Sequence, residues 1–208
     1  MANIEVEVRG ELTKDSYNKV ISELNKKAEY VKDKERLTIA YYRGKIPKDV
    51  RETSNEEVDL RVRVTGRNAE IILKHGLWGA KDNRTEIPVP IALEDFDNSV
   101  ELLRLIGWNN CLIATALTKV FNYKGIEFAI VIQNNKHYYF EAEKITSNKD
   151  NASEIHKEIE KACQEFGLKP HTQEGFYDFI NKMNEDVLIC DFNQDSWKEI
   201  KKKYKEFF

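Results

Sequence analysis

Apolar and charged residues alternate at the start of the chain, in Ile4-Glu5-Val6-Glu7-Val8-Arg9. Side chains of a β-strand point to opposite faces with period two. Ile4, Val6 and Val8 therefore share one face, and Glu5, Glu7 and Arg9 the other. The device recurs in Val58-Asp59-Leu60-Arg61-Val62-Arg63-Val64-Thr65, which sets Asp59, Arg61 and Arg63 against Leu60, Val62 and Val64. After a Gly66-Arg67-Asn68 turn, Ala69 to His75 reads as the hairpin partner, with Glu70 and Lys74 on one face and Ile72 between them. Arg84 and Glu86 share a face in Arg84 to Val89, where Pro88 marks a strand end or edge. Further strands are predicted at Leu37–Arg43, Cys111–Phe121, Ile126–Ile132 and Tyr138–Ile145, the last carrying Glu141 and Glu143.

Helical spacing fills the intervals. Thr13 is a candidate N-cap for a helix to about Tyr30, with Tyr17, Val20, Ile21, Leu24 and Ala28 as its apolar stripe. Leu93 to Ile106 ends at Gly107. A helix capped by Ser153 runs to Gly167. Another is predicted from about Glu174 to Met183, then a short strand-like Val187–Cys190 and a last helix from about Asp195. Gly44–Glu57 and Gly76–Asn83 read as loops. The total is about eight mainly antiparallel strands with helices between and after them, an α+β class. The expected organisation is one domain over 1–208, with the strands in about 3–146 and a helical region, about 147–208, packed on the outside of the sheet.

Composition narrows the partners. The 208 residues suffice for a buried core, and 33 % of them are charged, yet the formal net charge is only −3. Bulk attraction to nucleic acid or an anionic membrane is not expected, and any basic site is local. Cys111, Cys163 and Cys190 form no disulfide framework, no apolar run reaches transmembrane length, and the start is charged too early for a signal peptide. A cytoplasmic location is the expectation.

The charged faces carry the chemistry. On a flat sheet they would meet water. If the sheet curls closed, the amphipathic helices cover its apolar outside and the charges line the interior, the reverse of an ordinary small barrel. Such an interior is costly unless it holds water, ions and a charged ligand. Clustered carboxylates suit hard cations such as Mg²⁺ or Mn²⁺. Clustered Arg and Lys suit phosphate oxygens. Together they point to a metal–polyphosphate complex.

The same residues resemble the motifs of the CYTH family, the triphosphate tunnel metalloenzymes, which include class IV adenylyl cyclases and thiamine triphosphatases. Glu5-Val6-Glu7-Val8-Arg9 is similar to the ExExK signature, Leu60-Arg61-Val62-Arg63 to the LRxR strand, and Ile72-Leu73-Lys74 to the strand that follows it. Arg84-Thr85-Glu86 resembles the RxE element, and Tyr139-Phe140-Glu141-Ala142-Glu143 the terminal FxExE strand. The likeness covers about residues 3–183. It implies an eight-stranded antiparallel barrel enclosing a tunnel. It further implies that Glu5, Glu7, Glu141 and Glu143 hold one or two divalent metals, Mg²⁺ or Mn²⁺. Arg9, Arg61, Arg63, Lys74 and Arg84 would grip a triphosphate, and Glu7 and Lys74 would be catalytic.

Three departures stand against the family pattern. Arg9 replaces the signature Lys, keeping charge but not proton-carrying chemistry. The Lys-x-Arg pair expected on the strand at Cys111–Phe121 falls on Ala116 and Thr118, with Lys119 pointing outward. The Asp expected before the last hairpin is absent; Gln133 and Asn134 are the nearest polar residues. One wall has thus lost anion-binding charge, which leaves open the second metal, the full triphosphate and turnover itself.

Lesser signals remain. His75 follows Lys74 at a strand end; His137, His156 and His171 lack metal-ligand spacing. Trp78 could stack on a ligand ring at the tunnel mouth, one of Tyr41 and Tyr42 faces the interior, and the lysines of the last helix form a solvated face. The leading reading is a metal-dependent triphosphatase, acting on a small phosphorylated ligand of the ATP, thiamine triphosphate or tripolyphosphate class, as monomer or homodimer. Nucleotidyl cyclase chemistry on the same barrel, a binding module without turnover, and a plain α+β protein with a charged sheet face are the alternatives.

Overall fold

The computed structural model describes residues 3–53, 58–76 and 79–208. Its strands are β1 (Asn3–Leu12), β2 (Glu29–Tyr42), β3 (Val58–Thr65), β4 (Asn68–His75), β5 (Lys81–Ile91), β6 (Asn110–Tyr123), β7 (Ile126–Gln133), β8 (His137–Thr146) and β9 (Leu188–Asp191). The helices are α1 (Lys14–Lys27), α2 (Phe96–Leu105), α3 (Ala152–Glu165), α4 (Gln173–Asn184) and α5 (Trp197–Lys201). Strands β2-β3-β4-β5-β1-β8-β7-β6 follow one another around a ring, all pairs antiparallel, and β2 pairs with β6 to close it. The fold is a closed eight-stranded barrel flanked by helices. Strand β9 pairs with Asn110–Ile113 of β6, extending the edge that β7 occupies from Ala116 onward.

The alternation sorts the side chains as expected: apolar residues face out to the helices and charged residues face in. Val6, Val8, Phe128, Ile130, Phe140 and Ala142 pack beneath α1 and α3 in one cluster. Leu37, Ile39, Leu60, Val62, Val64 and Ile113 pack beneath α2 and the C-terminal segment in a second. The hydrophobic core is therefore split into two layers outside the barrel, and burial of these layers drives closure of a polar interior.

Several boundaries differ from the sequence expectation. Helix α1 starts behind Thr13, whose side chain accepts from the Ser16 N–H in a reciprocal capping box, but it ends at Lys27. The chain then runs extended through Glu29–Arg36, a polar stretch with little strand character of its own. Pairing with β6, from Glu29↔Asn122 to Tyr42↔Asn110, makes it a strand. Helix α3 begins at Ala152 behind a 3₁₀ turn at Lys149–Asn151, not at a Ser153 cap. The end of the chain is the short α5 and then a 3₁₀ segment, Lys202–Phe207.

The antiparallel order brings the C-terminal ends of β1, β2, β4 and β7 to one rim with the N-terminal ends of β3, β5, β6 and β8. Helix α4 packs there, where outside packing of the whole C-terminal region was expected. Phe176 lies under the Arg9 guanidinium at 5.6 Å, and the Phe179 ring meets Tyr139 at 5.8 Å. The Arg9 carbonyl accepts from the His171 N–H (2.8 Å), and Lys182 pairs with Glu11. Trp78 lies outside the described residues.

Candidate active site

The pleat of each strand aims its charged residues into the tunnel, and the register sets who meets whom. Glu7 lies across from Glu143 and Arg9 from Glu141 on β8. On the other side of β1, Glu5 lies across from Arg84 of β5. Asp59 faces Lys74, and Arg63 faces Glu70, across the β3–β4 ladder.

Among the described residues, Glu5, Glu7 and Glu143 each bring a carboxylate oxygen within 4.8 Å of the other two. Glu7 is 2 % exposed. Burial pushes its pKa well above the usual carboxylate range, against the pull of Arg9. Burial, then the charge of Glu5 and a hydrogen bond to it, push Glu143 up to about 10. Burial acts on Glu5 in the same sense, but the Lys74 ammonium and the hydrogen bond with Glu143 hold it low. Glu143 thus keeps its proton and shares it with Glu5.

The fourth predicted carboxylate stands apart from this trio. Glu141 accepts from Arg9 Nε at 3.1 Å, and Arg9 also donates to Glu7. Burial would raise Glu141, yet Arg9 and Lys74 outweigh it and keep it ionised. Arg9 thereby links the trio to the rest of the tunnel.

The predicted cations lie in a network of carboxylates. Lys74, 5 % exposed, donates to Glu5 at 2.5 Å and lies 3.6 Å from Glu86. Burial disfavours its charge, but Glu5 and Glu7 raise its pKa, so it is an ammonium donor. Arg61 and Arg84 share Asp59, at 2.6 and 2.9 Å. Burial works against the Asp59 charge, but Arg61 and Arg84 hold its pKa well below the usual range. Arg63 stands toward the opposite rim, on Glu70 at 2.6 Å and Glu86 at 3.4 Å.

Two tunnel residues escaped the sequence reading. Asp59 was on the charged face but left out of the candidate set. Arg36 lies one residue before the expected strand start at Leu37, while β2 itself begins at Glu29; the alternation Lys34, Arg36, Thr38, Ala40 against Leu37, Ile39, Tyr41 places it on the inner face. Arg36 donates to the Thr65 hydroxyl at 3.0 Å. Burial, then the nearby charge of Arg63, lower its pKa. An anion beside it would relieve both.

The departures from the motif pattern also have places. Ala116 and Thr118 line the tunnel, whereas Lys119 pairs with Asp33 at the surface. Gln133 lines the tunnel; Asn134 accepts from the Thr115 N–H and donates to the Asp186 carbonyl, tying β6 to the segment after α4. His137 is buried at 2.7 Å from Asp186, and His75 is exposed at the rim. Tyr41 packs on Phe192 in the outer cluster. Among the described residues, no helix is long and apolar enough to cross a membrane.

The trio fits a hard divalent cation: its donors are all carboxylate oxygens, whose mutual repulsion is offset by Lys74 on Glu5, Arg9 on Glu7 and the proton held at Glu143.

No family profile and no curated protein matches the chain. Solved structures do match. The PH1819 protein of Pyrococcus horikoshii is 21 % identical, with a TM-score of 0.66 over 81 % of this chain and 93 % of that one. A candidate adenylate cyclase from Vibrio parahaemolyticus is 13 % identical, TM-score 0.60, over 97 % and 99 % of the two chains. HpAC1 of Hippeastrum, an adenylyl cyclase candidate with a dominant triphosphatase activity, is 13 % identical, TM-score 0.59, over 89 % and 97 %. The chain has the tunnel fold of these proteins, the fold that the CYTH resemblance of its strand motifs implied.

Proposed function

We propose that the protein is a divalent-metal-dependent triphosphatase that hydrolyses the terminal phosphate of a small triphosphate inside the barrel. The observation that carries this reading is the carboxylate trio Glu5, Glu7 and Glu143 set beside buried cations in one closed tunnel. These three carboxylates would hold Mg²⁺ or Mn²⁺, which when bound supplies charge neutralisation and an activated water. Lys74 donates hydrogen bonds and positive charge to the transferring phosphoryl group, and does not serve as a base. Arg9, Arg61, Arg63 and Arg84, joined by Arg36, orient the phosphate chain with N–H donors already fixed by Glu141, Asp59 and Glu70. The barrel wall and α4 limit solvent around these charges, leaving Arg61 31 % and Glu141 26 % exposed, which strengthens the more buried contacts.

Two other readings keep specific support. The uncharged Ala116 and Thr118 favour ligand binding without turnover. The structural neighbour from Vibrio favours nucleotidyl cyclase chemistry, in which a ribose hydroxyl attacks the α-phosphorus and pyrophosphate leaves. Product analysis by mass spectrometry separates all three. The protein and its Glu7→Gln variant are incubated with ATP, thiamine triphosphate and tripolyphosphate, with Mg²⁺ or Mn²⁺. Orthophosphate that needs both metal and Glu7 is expected. Pyrophosphate with a cyclic nucleotide would favour the cyclase, and no product would leave the binding role.

A further inference from the structure

Cys111 and Cys190 are distant in the chain but stand directly across from one another on the β6–β9 ladder. Both are free thiols buried in the second apolar cluster, outside the barrel. Directly opposed residues of an antiparallel pair have their Cα atoms about 4.5–5.5 Å apart. A disulfide spans about 4.4–6.8 Å between Cα atoms, so this pair meets its spacing. The thiols already touch, the Cys111 S–H donating to the Cys190 sulfur. Cys163, on α3, lies in the other cluster.

Closed, the pair is shielded from solvent. Strand β9, however, has four residues and, among the described residues, pairs with β6 alone. Ile189, next to Cys190, is 60 % exposed. A short strand with one partner opens at a small fraction of the cost of global unfolding. Cys190 rides on the strand that opens and meets solvent first. Cys111 stays on the barrel wall, held by the pairing of β6 with β2. Reclosing sets the two sulfurs side by side again.

We propose that Cys111 and Cys190 form an oxidisable pair, which a hydroperoxide converts into a cross-strand disulfide that fastens β9 to the barrel. The Cys190 thiolate attacks one peroxide oxygen and the O–O bond breaks. A sulfenic acid remains, and the hydroxide released takes up the proton the thiol lost. The Cys111 sulfur then attacks the Cys190 sulfur. The S–S bond forms, the S–O bond breaks, and a second water leaves with the Cys111 proton. Two thiols lose two electrons, and one peroxide gains them. The bond also anchors the end of α4. Only residues 185–187 separate α4 from β9, and Asp186 in that link already accepts from Asn134 and Lys136 and pairs with His137. Oxidation adds a covalent anchor to these polar ones, whatever ligand the tunnel takes.

The full chain is treated with hydrogen peroxide, cleared of it with catalase, unfolded, alkylated with iodoacetamide and measured by mass spectrometry. A monomer with Cys163 alone alkylated is expected, and its digest should hold a Cys111–Cys190 peptide that dithiothreitol splits. In the folded protein, Tm should rise by about 5–10 °C on oxidation and fall back on reduction. Amide exchange across Leu188–Asp191 should slow at least tenfold. Cys163→Ala keeps these changes; Cys111→Ala and Cys190→Ala each lose them. If those two variants do not fold, the digest of the unaltered protein decides. Three alkylated cysteines after peroxide overturn the proposal. So does a bridge to Cys163 or to a second chain, a sulfinic or sulfonic acid at Cys190 in place of the bridge, or a bridge that leaves Tm and exchange unchanged.

Discussion

Glu7 and Glu143 sit directly across from one another on neighbouring antiparallel strands, both aimed into the tunnel. Like charges in that position repel. Burial settles the conflict by raising both members: Glu7 lies well above the usual carboxylate range, and Glu143, with Glu5 beside it, is pushed up to about 10.

The Glu143 proton links folding to pH. A carboxyl whose pKa is raised on folding stabilises the protein below its unfolded value, and the contribution is lost as pH climbs toward the folded value. The metal-free protein is therefore expected to lose stability at this group between pH values of about 4.5 and about 10. Glu143→Gln reduces the slope, the remainder coming from Glu7. Thermal melts in chelator should show a flatter pH profile for the variant and a higher Tm at pH 8–9; a parallel profile would contradict the assignment.

Cation binding at the trio should expel the protons held there. Titration of Mn²⁺ in two buffers of different ionisation enthalpy is expected to show proton release near neutral pH, from Glu143 and from Glu7. Affinity should rise up to about tenfold per pH unit for each proton released. Glu143→Gln reduces the release, and Glu141→Gln, outside the trio, preserves it.

Arg36 is expected to act on the ligand and not on the metal. A hydrogen bond from a charged group contributes about 1.5–3 kcal/mol. Arg36→Ala should therefore raise KM or Kd for the phosphorylated ligand by about tenfold to a hundredfold, with Mn²⁺ affinity unchanged. Steady-state kinetics beside metal titration reads both.

Asp59 holds two guanidinium groups in place, and its loss leaves both without it. Breaking one partner of a fully buried ion pair costs about 3–5 kcal/mol; with Asp59 22 % and Arg61 31 % exposed, the cost here is smaller. Asp59→Ala should shift the urea midpoint down accordingly. Asp59→Asn, which keeps a carbonyl acceptor for Arg61 and Arg84, should cost less.

Much of this architecture was legible in the residues. Strict alternation in β1, β3 and β8 told which side chains share a face, because the period of a strand is a local property. The helical stripes told that an apolar surface was being covered from outside. Those two facts left a flat charged face and an inside-out barrel both open, and the CYTH resemblance of the strand motifs implied the closed barrel with Glu5, Glu7, Glu143, Lys74 and Arg84 in one interior.

What the chain alone did not decide was set by contacts between distant segments. The Glu29–Glu35 stretch is extended because β6 pairs with it, which carries β2 well beyond its expected start at Leu37. Glu141 and Glu143 are equivalent in sequence, two residues apart on one face. Only the register against β1 gives Arg9 to one and Glu7 to the other, so that one stays ionised while the other keeps a proton. Helix α4 has an amphipathic pattern like its neighbours, which shows that it covers something without saying what. Its place at the β1–β8 rim, tied by His171 to Arg9 and by Lys182 to Glu11, makes it a wall of the tunnel cavity. Periodicity reports the face of an element; the partner of that face is a property of the closed ring.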